Sequence, residues 1–162
     1  MNYKTANKEV CKALIDGELV RGYDINENTA FVTPDGYYGF IIPKDKIVYD
    51  STRIKRCKRL FEVSDYIKPE NEVKPTAHFF KCGKEYCQRF DGKDWHVFIQ
   101  EKFLKKLDKD EFYCFFQNYE KGKDMRKQSI LVAVRRYEND DYKYIPAVVF
   151  LPIYVHDYEK EK

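Results

Sequence analysis

The sequence predicts an α+β domain in which two helices pack on antiparallel sheets. Three observations predict it. Aromatic residues make up 17% of the 162-residue chain, with 14 Tyr and 12 Phe, and both types favour strands. Short apolar runs alternate with polar turns such as "PDG" at 34–36, "CGK" at 82–84 and "DGK" at 91–93, the punctuation of hairpins. Two segments, 5–16 and 100–108, instead carry apolar residues at helical spacing with lysines opposite them.

The first helix is "TANKEVCKALID", 5–16. Ala6, Val10, Ala13 and Leu14 share one side, and Lys4, Lys8 and Lys12 recur every four residues on the other. Thr5 or Asn7 suits the N-cap, and Gly17 suits the left-handed position past the end. Strands are expected over 18–25, 30–33 and 37–42, the last closing at Pro43. "KIVYD", 46–50, is a further strand candidate. Segment 51–67 is open: a short helix capped by Ser51 or Thr52, or an irregular strand. "KPENEVKP", 68–75, holds two prolines and reads as a surface connection.

A three-strand meander follows over 76–81, 85–90 and 94–99, joined by the two glycine turns. The second helix, about 100–108, turns Phe103, Leu104 and Leu107 inward and Lys102, Lys105, Lys106 and Lys109 outward. Strands are then expected over 111–118, 130–137 and 142–155, with a charged loop at 119–129. Residues 1–157 form one domain in this reading, and 158–162 fray.

Two stretches have the same order: a helix, three strands and a closing proline. They span about 3–50, containing "AFVTPDGYYGFIIP", and about 94–155, containing "VAVRRYENDDYKYIPAVVFLP". A short strand precedes each helix in this pattern, "NYK" in the first and "DWHVFI" in the second. Such a repeat predicts two units related by a pseudo-two-fold axis, with both helices on one layer. Their lysines then form a single positive surface.

Net charge is only +3, so any nucleic-acid contact has to come from local clusters. No apolar run reaches the ~20 residues a membrane-spanning helix needs, and "MNYKTANKEV" lacks the apolar core of a signal peptide. These features point to a cytoplasmic protein with no membrane partner. Cysteines 11, 57, 82, 87 and 114 are odd in number and read as reduced thiols. Cys82 and Cys87, with His78 or His96, make a weak metal signal, and the simpler reading is two thiols flanking a hairpin turn. No glycine-rich phosphate loop, H-E-x-x-H motif or marked nucleophile is present. No enzyme, cofactor or metal is therefore expected.

"HVFIQEKFLKKLDKDEFYCFF" and "SILVAVRRYENDDYKYIPAVVFLPI" resemble the final domain of the bacterial sliding DNA clamp. The clear likeness covers about 94–153, and the first unit agrees in the order of its elements. The resemblance implies a domain whose two helices face duplex DNA without reading its sequence. Lys4, Lys8, Lys12, Lys102, Lys105, Lys106 and Lys109 would be the DNA-facing residues. It further implies a replication or processivity role beside a polymerase or another replication protein. The departures, with one domain per chain and atypical 51–59 and 68–75 segments, point to a divergent relative from a phage or mobile element. Clamp rings hold six such domains, two or three per chain, and this chain has room for one, so a ring would be a homo-oligomer.

A second basic cluster contains Arg53, Lys55, Arg56, Lys58 and Arg59. Arginine suits bidentate phosphate contacts, but a charged edge strand that blocks aggregation would look the same. Exposed lysine stripes likewise serve either solubility or phosphate binding. A protein-interaction or self-association module of the same fold, with no DNA contact, is the alternative. Trp95 reads either as a base-stacking ring or as packing at a sheet end.

Overall fold

A computed structural model describes residues 3–16, 21–25, 28–32, 38–47, 55–56, 66–120, 122 and 128–152, with backbone alone at 21–25 and 55–56. Among the described residues the chain is α+β, with a large antiparallel sheet and two helices. Helix α1 is Tyr3–Ile15. The strands are β1 (Arg21–Ile25), β2 (Asn28–Val32), β3 (Tyr38–Pro43), β4 (Lys55–Arg56), β5 (Glu72–Cys82), β6 (Glu85–Asp91) and β7 (His96–Gln100). Helix α2 (Glu101–Leu104) follows, then β8 (Tyr113–Gln117), β9 (Ile130–Glu138) and β10 (Asp141–Phe150).

The strands lie in the order β4-β1-β2-β3-β10-β9-β8-β5-β6-β7. Every pairing is antiparallel except the two-residue β1–β4 contact. Strand β5 couples the two halves. Its start pairs with β8 through Glu72 and Val73, and the rest pairs with β6. A register shift between Pro75 and Phe79 lets the strand change partner, because a bulge bends the ladder and tolerates proline.

Alternation divides the sheet into two faces. Phe31, Tyr38, Phe40, Ile130, Val132, Val148 and Phe150 are buried in one cluster with Ala6, Val10 and Ala13 of α1 and Phe103 of α2. Both helices therefore cover the same face. Ala30, Val32, Ile41, Cys114, Phe116, Leu131, Ala133 and Val149 form a cluster on the other face, where Tyr66, Ile67 and Tyr144 pack. The rings of Tyr38, Phe103 and Phe150 stack at centroid distances of 5.1–6.0 Å and fix α2 to the sheet.

Several expectations need correction. Helix α1 includes Tyr3 and Lys4, so these two residues of "NYK" are helical and not strand, Asn2 lies outside the described residues, and Thr5 and Asn7 lie inside the helix. Asn7 spends its amide on the carbonyls of Tyr3 and Lys46, at 3.0 and 2.8 Å, which ties the helix to the chain after β3. The second helix is four residues long, not nine. After Leu104 the chain tightens: Lys106 N donates to Phe103 O, and Leu107 N to Leu104 O, both at 3.1 Å. The Tyr113 hydroxyl then accepts from Asp108 N at 3.2 Å. This compact turn lets Leu104 and Leu107 both pack on the core.

Residues 72–75 are strand, not surface connection, and only Pro69–Asn71 form a 3-10 turn before them. Residues 46–47 are not strand, since Lys44–Lys46 form another 3-10 turn. Within the open 51–67 segment, Lys55–Arg56 are strand. Asp94 and Trp95 precede β7, and Leu151 and Pro152 follow the end of β10. Parts of the expected 18–25, 46–50 and 119–129 segments, and residues 153–162, lie outside the described residues.

The β5–β6–β7 meander follows the glycine turns as expected. Cys82 and Cys87 do flank the first turn, at the end of β5 and within β6, where Gly83 has a φ of +64°. At the second turn a Cβ on Gly92 would lie 2.5 Å from the Trp95 ring, so only glycine fits. Trp95 packs rather than standing free. Its Nε1 donates to buried Gln117 at 3.0 Å, and its ring stacks on Tyr119 at 4.9 Å.

Candidate nucleic-acid interface

Helix α1 turns 100° per residue, which sets Lys4, Lys8 and Lys12 opposite the Ala6–Val10–Ala13 stripe. All three lysines are exposed, and none forms an ion pair with a described residue. Successive ammonium stems rise by about 6 Å along the axis. Ile15, 84% exposed, ends the same side. The first turn of α1 has no acidic residue, and Lys4 there works against the helix dipole.

The lysines in and just after α2 differ. Lys106 donates to Glu9 Oε1 of α1 at 2.9 Å and lies over the Tyr38 ring, 5.0 Å from its centroid. It joins the two helices and is mostly covered. Lys105 pairs with Glu101 at 3.0 Å, one helical turn away. Lys102 approaches Glu85 at 4.0 Å and the Phe103 ring at 5.1 Å. Lys109 is exposed and has no ion pair among the described residues. Of these seven lysines, only Lys4, Lys8, Lys12 and Lys109 have no ion pair among the described residues. Burial, with Tyr113 and Glu9 nearby, pushes the Tyr38 hydroxyl far above the usual phenol range. A neutral, apolar floor therefore supports the Lys106–Glu9 bridge.

Lys55 and Arg56 form β4, the short strand parallel to β1 at one end of the sheet. Arg53, Lys58 and Arg59 lie outside the described residues. Sequence reasoning missed Glu9, whose carboxylate neutralises Lys106 across 97 residues. Its position on the flank of the α1 stripe was visible, but its partner was not. Glu101 four residues before Lys105 was a legible helical pair.

Among the described residues no group of His, Cys, Asp and Glu side chains is arranged to hold a metal ion. No helix among them is long and apolar enough to cross a membrane. No protein-family model, curated protein or solved structure matches the chain.

Proposed function

We propose that the chain is a clamp-like domain that binds duplex DNA without sequence preference. In this reading it serves as a processivity or replication accessory factor of a phage or mobile element, beside a polymerase or other replication protein. The observation that carries the proposal is the row Lys4, Lys8 and Lys12: exposed, unpaired among the described residues, and opposite the buried side of α1. Lys109, in the turn after α2, is a fourth exposed lysine with no ion pair among the described residues.

The sheet order supports the clamp part. Its centre reads β1-β2-β3-β10-β9-β8, and each three-strand unit follows a helix. The antiparallel β3–β10 pair is then the pseudo-two-fold centre. Ammonium groups on α1 would contact phosphates, release counterions and slide without fixed register. No covalent chemistry is assigned. The test is binding to a random-sequence duplex across a salt series, with Lys4, Lys8 and Lys12 changed together to Glu. Loss of binding with folding intact supports the proposal. Unchanged binding removes α1 as the contact surface. The alternative, a self-association or protein-interaction module, has its own support in exposed aromatic rings near the β9–β10 turn.

A further inference from the structure

The β9–β10 hairpin reaches beyond its neighbours. Strand β3 pairs with β10 only at Val148–Phe150, and β8 pairs with β9 only up to Val134. Its turn, Asn139–Asp140, has φ values of 53° and 63°, the two left-handed positions of a tight hairpin. On its protruding part Arg135 faces Tyr144 across the strands, and Tyr137 faces Tyr142. By alternation these four continue the Leu131–Ala133 face, away from the helices.

Phe112, Tyr137 and Tyr142 are 59%, 63% and 51% exposed. The Arg135 guanidinium sits 4.1 Å from the Phe112 ring centroid and 4.6 Å from that of Tyr142. It makes no ion pair among the described residues. At the other end of the ledge, Asp140 accepts a long hydrogen bond of 3.4 Å from the Tyr137 hydroxyl and has no cationic partner among them either. Among the described residues, one ledge therefore carries a cation and an anion without ion-pair partners, with an exposed tyrosine pair between them.

We infer that this ledge is a self-complementary contact through which two copies of the chain form a back-to-back dimer. A two-fold axis beside the Tyr137–Tyr142 pair, midway between Arg135 and Asp140, brings each Arg135 to the Asp140 of the second copy. Both charges are then matched twice, which is the requirement of an isologous interface. Aromatic and arginine side chains are the residue types such contacts favour. A nucleic-acid strand fits less well. Arg135 is the ledge's one guanidinium, and the carboxylates of Glu138, Asp140 and Asp141 cluster at the turn.

Half-exposed rings of about 150–250 Å² each give a ledge of a few hundred Å², below the ~800 Å² per partner of standard stable interfaces. The dimer is therefore weak and concentration-dependent. It would carry the two α1 lysine rows on its outer sides and so bridge two duplexes, a consequence that rests on the DNA-binding proposal. The dimer itself does not.

The test is sedimentation equilibrium without DNA, in a concentration series up to about 1 mM, where interfaces this small associate. Wild type should show a monomer–dimer equilibrium. Arg135→Glu and Asp140→Lys should each weaken it about tenfold or more. An equimolar mixture of the two should restore it, because the heterodimer has one native and one exchanged ion pair. Asp140→Asn, which keeps a residue suited to the left-handed turn, should weaken it by a smaller factor and serves if Asp140→Lys fails to fold. A monomer throughout the series, a dimer indifferent to these variants, or a mixture that stays monomeric would overturn the inference.

Discussion

Helices α1 and α2 cover the same face of the sheet, yet they do so by different means. Helix α1 is 13 residues long and buries small and branched side chains, Ala6, Val10 and Ala13. Helix α2 is four residues long and buries one large ring, Phe103, against Tyr38 and Phe150. The electrostatics divide the same way. The α1 lysines face outward without carboxylate partners among the described residues, whereas Lys102, Lys105 and Lys106 each approach a glutamate. A long helix held by a stripe leaves its far side available for a ligand. A short helix held by one anchor relies on its long side chains to fasten it to its surroundings.

The largest effect expected from this contrast is on stability. Phe103→Ala removes the α2 anchor from a fully packed stack and should cost about 3–5 kcal/mol, as large aromatic truncations in cores do. Chemical denaturation measures it. A loss below about 1 kcal/mol would mean that α2 is held by its lysine bridges instead.

A second effect concerns pH, and it belongs to the surroundings of α2. Burial outweighs the hydrogen bond with Asp108 N and pushes Tyr113 up to about 12 from 10.0. Burial first, and then neighbouring Cys82, pushes the Cys87 thiol up to about 12 from 9.0. Both groups stay neutral in the fold at pH values where the unfolded chain ionises them. Their contribution is complete below the unfolded values and is lost as pH rises towards the folded ones. The melting temperature should therefore fall between about pH 9 and 12. Cys87→Ala should lower the curve but flatten the thiol's part of that fall. A melting temperature constant over this range would contradict the neutral burial of both groups.

A smaller effect sharpens the electrostatic half of the comparison. Glu9→Gln breaks the Lys106 bridge, which is partly exposed, so the stability cost should be at most about 1 kcal/mol. The released Lys106 should then behave like an α1 lysine and steepen the salt dependence of DNA binding by about one unit. Unchanged salt dependence would mean that Lys106 stays folded onto the Tyr38 ring.

The sequence revealed most of the strands because their turns are written in local chemistry. "CGK", "DGK" and "ENDD" mark three turns whose residues alone favour reversal, and each joins two paired strands in the structure. The lysine row on α1 was equally legible, since helical spacing places it without knowledge of the rest. What stayed hidden depends on partners distant in sequence. Strand β5 runs through Pro75 because it changes neighbours at a bulge, and no local signal marks that exchange. The expected 100–108 helix stops early because Leu107 and Tyr113 pull the chain into a turn. The pairing of Lys106 with Glu9 joins segments 97 residues apart, so the four lysines unmatched among the described residues could not be separated from the other three.

The central claim is that the α1 row, more than the α2 lysines, meets duplex DNA. The most direct measurement is affinity for a random-sequence duplex against salt, for wild type, a Lys4→Glu/Lys8→Glu/Lys12→Glu variant and a Lys102→Glu/Lys105→Glu variant. Wild type should lose affinity with a log–log slope of about −3 to −4, from three or four phosphate contacts. The α1 variant should lose binding, and the α2 variant should keep most of it. Equal losses in both variants would contradict the division between the helices, and no binding by wild type even at low salt would contradict the DNA reading itself.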